Sequence, residues 1–211
     1  MTTSPTVTWA EPGDLAAVAT RIAAEVGRPG TKRIAMAGGS TPGKVLALLA
    51  TQNLDWSGTT IVPTDDRQVP AEHPASNFGA LCAAFAGTAA TILPLVEAER
   101  PEKFDLVWLG MGTDGHIASL FPRMCALPRK RRRVIATTPI PLPPEAPYAR
   151  LSLNRKALAA TREIILVVTG RAKRTVIEKA LAGADSYPVS DFLRGAIVGG
   201  TAPPVTIYWS E

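Results

Sequence analysis

The chain has 211 residues, with 23 basic and 18 acidic side chains, a net charge of +5, and 46% hydrophobic against 19% charged residues. That balance excludes a disordered chain. It also argues against a protein spread with nucleic-acid contacts: the run Arg129-Lys130-Arg131-Arg132-Arg133 holds the whole basic excess, and the remainder is neutral. Two cysteines, Cys82 and Cys125, and two histidines provide neither a disulfide framework nor zinc-ligand spacing. Residues 1–14 carry no basic stretch followed by an apolar one, and no run approaches the roughly 18–20 apolar residues of a membrane span. The expectation is a single domain, 1–211, that is soluble and cytoplasmic, with no membrane or nucleic-acid partner.

Along the chain, apolar stretches of strand length alternate with amphipathic ones. Residues 6–10 make a first candidate strand. Asp14 caps a helix reaching Val26, with Leu15, Val18, Ile22 and Val26 on one face and Gly27 past its end. A buried strand at 33–37 runs into Gly38-Gly39-Ser40-Thr41-Pro42. A helix follows over 43–50, with Pro42 at its first turn. Residues 59–63 form another strand, ending at Asp65-Asp66-Arg67, and 77–85 reads as a helix. The strand at 104–110 leads into a glycine-rich turn and a short helix at 116–121. After the basic run come a strand at 134–138 and a stiff segment with Pro139, Pro141, Pro143, Pro144 and Pro147. Residues 148–153 alternate like a strand and Asn154 caps a short helix. Residues 163–169 are the most strand-like run, 171–181 is a helix ended by Gly183, and 205–209 closes the chain as a strand. This alternation predicts an α/β fold, a mostly parallel sheet with helices on both faces.

Three polar or glycine-rich clusters follow strand ends, where open α/β sheets bind ligands. Gly38-Gly39-Ser40-Thr41-Pro42 reads either as an anion cradle at a helix start or as a tight turn with a capping hydroxyl. In Asp65-Asp66-Arg67, Arg67 either holds a phosphate, oriented by an acidic neighbour, or makes a surface salt bridge. Ser76-Asn77 reads as a helix cap. The third cluster, Gly110-Met111-Gly112-Thr113-Asp114-Gly115-His116, satisfies G-x-G-x-x-G. An NAD site would want an acidic residue about 20 positions on, and none is there, although the arginine run would suit a 2′-phosphate. Asp114 and His116 are spaced as an acid/base pair able to activate a water. The alternative for His116 is a packing or capping histidine. Arg171 and Lys173 stand at a helix N-terminus, where the dipole disfavours cations and a bound anion would explain them.

Taken together, GGSTP, D-D-R with a following S-N, and FDLVWLGMGTDGHIASLFP resemble the 6-phosphogluconolactonases, hydrolytic enzymes of the oxidative pentose phosphate pathway. The resemblance runs from about Ile34 to Ile177. GGSTP is shared with the glucosamine-6-phosphate deaminases and isomerases, whose G-x-D-G-H block continues as I-A-F-N-E-P. Here it continues as Ile117-Ala118-Ser119-Leu120-Phe121-Pro122, the lactonase form. The resemblance implies a Rossmann-like sheet, no metal or organic cofactor, and a phosphorylated sugar lactone as substrate for a monomer or homodimer. It implies that His116 is the general base and that Asp114 orients or tunes it. The substrate and its phosphate fall to Gly38, Gly39, Ser40, Asp65, Arg67 and Lys173, and Arg150 matches the arginine of an R-x-[ST]-L strand. The chain departs from the pattern at Asp66, in place of the usual glutamate, and at Arg123, in place of a frequent glycine. Alternatives are an isomerase or deaminase on the same scaffold, a non-catalytic sugar-phosphate sensor, a nucleic-acid contact through the basic run, and an NADP-dependent oxidoreductase.

Overall fold

The computed structural model describes residues 6–122, 124, 131–144, 146–185, 187–194 and 203–211. Arg123, Cys125, Arg129 and Lys130 lie outside them. The elements are β1 (Val7–Trp9), α1 (Leu15–Val26), β2 (Lys32–Met36), α2 (Ser40–Ala50), β3 (Thr59–Pro63), β4 (Asp65–Arg67), α3 (Asn77–Ala84), β5 (Thr91–Ile92), β6 (Phe104–Leu109), β7 (Val134–Thr137), β8 (Arg150–Leu153), α4 (Arg155–Leu158), β9 (Thr161–Thr169), α5 (Arg171–Ala182), α6 (Ser190–Leu193) and β10 (Val205–Ser210). Seven strands form one sheet in the order β1-β10-β9-β6-β2-β3-β5, and every pairing in it is parallel.

Central strands of such a sheet bury both faces, which is why β2, β6 and β9 carry the apolar runs at 34–37, 106–109 and 164–168. Side chains alternate between two cores. Ile34, Met36, Leu106, Trp108, Ile165 and Val167 point to the face covered by α1, α2 and α3. Ala35, Val107, Leu109, Ile164, Leu166 and Val168 point to the face covered by α5 and α6. Local signals fix the helix starts: the side chains of Asp14, Ser76 and Asn154 accept from the amides of Ala17, Gly79 and Ala157. Gly183, at φ 75°, closes α5 in the left-handed conformation.

The structure departs from the expected elements in three places. Residues 116–121 are not a helix: Ile117 bridges Met111 and Leu120, and Gly115 (φ 75°) and Ala118 (φ 47°) turn the chain out of helical geometry. The helix after GGSTP starts at Ser40, earlier than expected, with Gly39 (φ 107°) before it. Asp65–Arg67 is itself a strand, in a second sheet of order β4-β8-β7 that is antiparallel throughout. This small sheet packs on the α5 and α6 face through Val134, Ile135 and Leu153.

The order also positions the site. From β2 the chain works outward through β3 and β5; from β6 it works the other way through β9 and β10. The reversal lies between β2 and β6, and the loops leaving their carboxyl ends diverge and open a crevice. Those loops are Ala37-Gly38-Gly39 and Gly110-Met111-Gly112.

Candidate active site

The crevice is a cleft of about 310 Å³, lined by residues from all three clusters. Its histidine side is built by the turn after β6. The Gly112 amide donates to the His116 carbonyl (3.0 Å) and the Gly115 amide to that of Gly112 (3.1 Å), so the chain doubles back and lifts His116 into the cleft. His116 Nδ1 lies 2.6 Å from Asp114 Oδ1, which also accepts from the His116 amide at 3.2 Å. An ionised carboxylate only accepts, so the proton sits on Nδ1 and the Nε2 lone pair is left for a water. A Cβ on Gly112 would stand 2.3 Å from the imidazole, so only glycine fits beneath the ring. The other side of the imidazole rests on Phe121, centroids 4.5 Å apart.

The small sheet contributes cations. Arg67 and Arg150 are directly opposed across β4 and β8, and both line the cleft. Like charges opposed in this way are destabilising. Arg150 is 5% exposed. Burial pushes its guanidinium below the ordinary value, Arg67 pushes it further, and Asp65 opposes both. Each arginine keeps a buried Nε without a hydrogen-bond partner. Arg67 Nη1 donates to the Ala75 carbonyl (3.0 Å) and to Asn77 Oδ1 (2.9 Å); Arg150 Nη2 donates to the Ala146 carbonyl (3.2 Å). Phe121, packed against the His116 ring, also lies 5.4 Å from the Arg150 guanidinium. Lys173 reaches the cleft from the first turn of α5, and the start of α2 enters it at Gly39, Thr41 and Pro42. Among the described residues, Arg67, Arg150 and Lys173 form no ion pair. A cleft whose cations form no ion pair suits a phosphate. No group of three or more His, Cys, Asp or Glu among the described residues is placed to hold a metal.

The family profile described as "Glucosamine-6-phosphate isomerases/6-phosphogluconolactonase" matches residues 14–103 and 84–198. The chain is 34% identical to a 6-phosphogluconolactonase of Pseudomonas aeruginosa, over 93% of this chain and 89% of that one. The chain belongs to this family. A second relative, the 6-phosphogluconolactonase of Rhizobium meliloti, is 34% identical over 92% of this chain and 90% of its own. The crystal structure of a 6-phosphogluconolactonase from Shewanella baltica superposes with a TM-score of 0.78 at 29% identity, covering both chains entirely.

Of the residues that the family resemblance singles out, Gly38, Gly39, Asp65, Arg67, His116, Arg150 and Lys173 line one cleft. Asp114 stands behind His116. The Ser40 side chain is outside the described residues. Asp65 is 7% exposed, and its Oδ2 accepts from the buried Ser119 hydroxyl.

Three expectations need correction. Asp66 does not orient Arg67 toward a ligand: its carboxylate accepts from the Asn77 and Phe78 amides (2.6 and 3.1 Å) and from Ser76 Oγ (3.2 Å), anchoring the start of α3. Arg171 pairs with Glu211 at 2.9 Å, so Lys173 alone of the two basic residues faces the cleft. The glycine run opens no helix, which removes the N-terminus that a dinucleotide pyrophosphate requires. Sequence reasoning also missed Asn77 as part of the cleft wall. Its signal, S-N just after D-D-R, was absorbed by the capping role that Ser76 fills.

Proposed function

We propose that the chain hydrolyses 6-phosphogluconolactone to 6-phosphogluconate, as one cytoplasmic catalytic domain, with His116 as general base. The observation that carries this reading is the 2.6 Å Asp114–His116 pair in a cleft that also holds unpaired Arg67, Arg150 and Lys173. The substrate's phosphate lies among these cations and the start of α2, remote from the reacting carbonyl, and its binding energy orients the ring. Nε2 of His116 takes a proton from a water as the water oxygen attacks the lactone carbonyl carbon. The carbonyl electron pair moves onto oxygen. When it returns, the bond from that carbon to the ring oxygen breaks, and the imidazolium gives its proton to the departing oxygen. One water is added across one ester bond, and the acid formed releases its proton to solvent. Asp114 holds the productive tautomer and stabilises the imidazolium between the two transfers. The amides of Gly112 and Gly115 are engaged within the turn, so the oxyanion takes its donors elsewhere.

The test is a coupled assay of the lactone with the parent protein and with His116→Asn. The variant loses about 10³-fold in kcat above the spontaneous rate, within the usual range for general-base catalysis. Turnover within about two-fold of the parent would sink the assignment. Ammonia release from glucosamine 6-phosphate with no lactone hydrolysis would replace it with the deaminase reading.

A further inference from the structure

Asn77 has no part in the chemistry above, yet it sits between strand β4 and the Gly38 loop of the anion site. It is 4% exposed. Its Oδ1 accepts from Arg67 Nη1 at 2.9 Å, its Nδ2 donates to the Asp65 carbonyl at 2.7 Å, and its amide donates to Asp66 at 2.6 Å. The carboxamide has one orientation, because a flip would set donor against donor and acceptor against acceptor. The same group fills the space a side chain would take at Gly38: a Cβ there would stand 1.9 Å from Asn77 Oδ1. One carboxamide therefore fixes the direction of Arg67, the carbonyl of the Asp65 strand and the approach of the Gly38 loop.

From this we propose that Asn77 is the positioning residue of the anion site. It aims the Arg67 guanidinium at the ligand phosphate and sets the distance between Arg67 and the start of α2. An amide is required, since it accepts from Arg67 without neutralising it and still donates to a carbonyl. An aspartate of the same shape would pair with Arg67, compete with the phosphate for it, and face the Asp65 carbonyl with no proton. The inference rests on the lactonase reading for its substrate, though not for its anion.

The experiment combines lactone kinetics with titration of inorganic phosphate, which needs no turnover, on the parent, Asn77→Asp, Asn77→Ala, Gly38→Ala and the double variant Gly38→Ala/Asn77→Ala. In Asn77→Asp the lactone KM and the phosphate Kd rise together by about ten-fold, while kcat changes by less than about three-fold. Gly38→Ala, which pushes the carboxamide off Arg67, gives the same signature. It adds little once Asn77 is already alanine, so the two effects are not additive. Should Asn77→Asp fail to fold, this cycle carries the test alone. A phosphate Kd that rises less than about five-fold in Asn77→Asp, an equal fall in kcat with KM unmoved, or additive effects in the cycle would overturn the proposal. A parent protein that binds phosphate and leaves the lactone intact refutes the lactonase reading and leaves the role of Asn77 standing.

Discussion

At the N-terminal edge of the seven-stranded sheet, Glu25 is 1% exposed and lies among Arg21 (3.2 Å), Arg28 (3.8 Å) and Arg162. Arg21 also pairs with Glu163 and Arg162 with Asp105. Burial alone would push the Arg21 guanidinium down, but Glu163 and Glu25 reverse this and hold it above its ordinary value. At the C-terminal edge, Arg67 and Arg150 face each other with no ion pair among the described residues, and Arg150 is held below its ordinary value although Asp65 partly offsets the shift. The same residue type is thus closed by its own chain at one edge and left open at the other. The closed edge holds the strands together. On the proposed reading, complementarity at the open edge is completed by the phosphate of the substrate.

Substitutions at the two edges should separate activity from stability. The largest effect is expected for Arg150→Met, which lowers kcat/KM by about 10²–10³-fold because a desolvated charge contact to the phosphate is lost. Its melting temperature changes little, since the repulsion from Arg67 and the desolvation of Arg150 are relieved while the attraction to Asp65 is lost. A drop in melting temperature comparable to the loss of affinity would erase the contrast. Glu25→Gln should do the reverse, costing about 1–2 kcal/mol in chemical denaturation because the buried carboxylate that joins three partly exposed arginines is lost while Arg21 keeps Glu163 and Arg162 keeps Asp105, with kcat/KM unchanged within about two-fold. Asp114→Asn sharpens the division within the cleft itself: kcat falls by about thirty-fold and KM stays, because the carboxylate acts on the base and not on the phosphate. The smallest effect belongs to the basic run. Arg133 is engaged with the Ala98 carbonyl (3.1 Å), whereas Arg131 is exposed. Replacing Arg131 and Arg132 by serine should lower kcat/KM about two- to three-fold at low ionic strength and not at high, as steering would require.

The parts of the molecule legible in the sequence are those whose cause is local. The strand Thr161–Thr169 follows from a run buried on both faces, and α1 from Asp14 and its apolar stripe. The false helix over residues 116–121 has an equally physical origin. Ile117, Leu120 and Phe121 carry helical spacing, but Ile117 and Leu120, both fully buried, lie in bridges that fold the segment back on Met111. The small sheet is illegible because its pairing of Asp65 against Ser152 joins segments far apart in the chain, although the strands of β7 and β8 are each expected. The strand-end rule brings His116 and Arg67 toward one site, whereas the opposition of Arg67 to Arg150 within it depends on the small sheet. Asn77 was hidden further: its importance lies in the absence of a side chain at Gly38.

That absence has a counterpart at Gly112, and both bear on how such chains drift. Each glycine is a cast of its neighbour, Gly112 of the His116 imidazole and Gly38 of the Asn77 carboxamide. While the neighbour stays, almost no other residue is admissible. Once the neighbour is replaced by something small, the glycine is released. Descendants of this chain that abandon the chemistry should therefore lose these positions in pairs, histidine with glycine and asparagine with glycine. The order of loss should also run one way, with the side chain going first and the glycine after it.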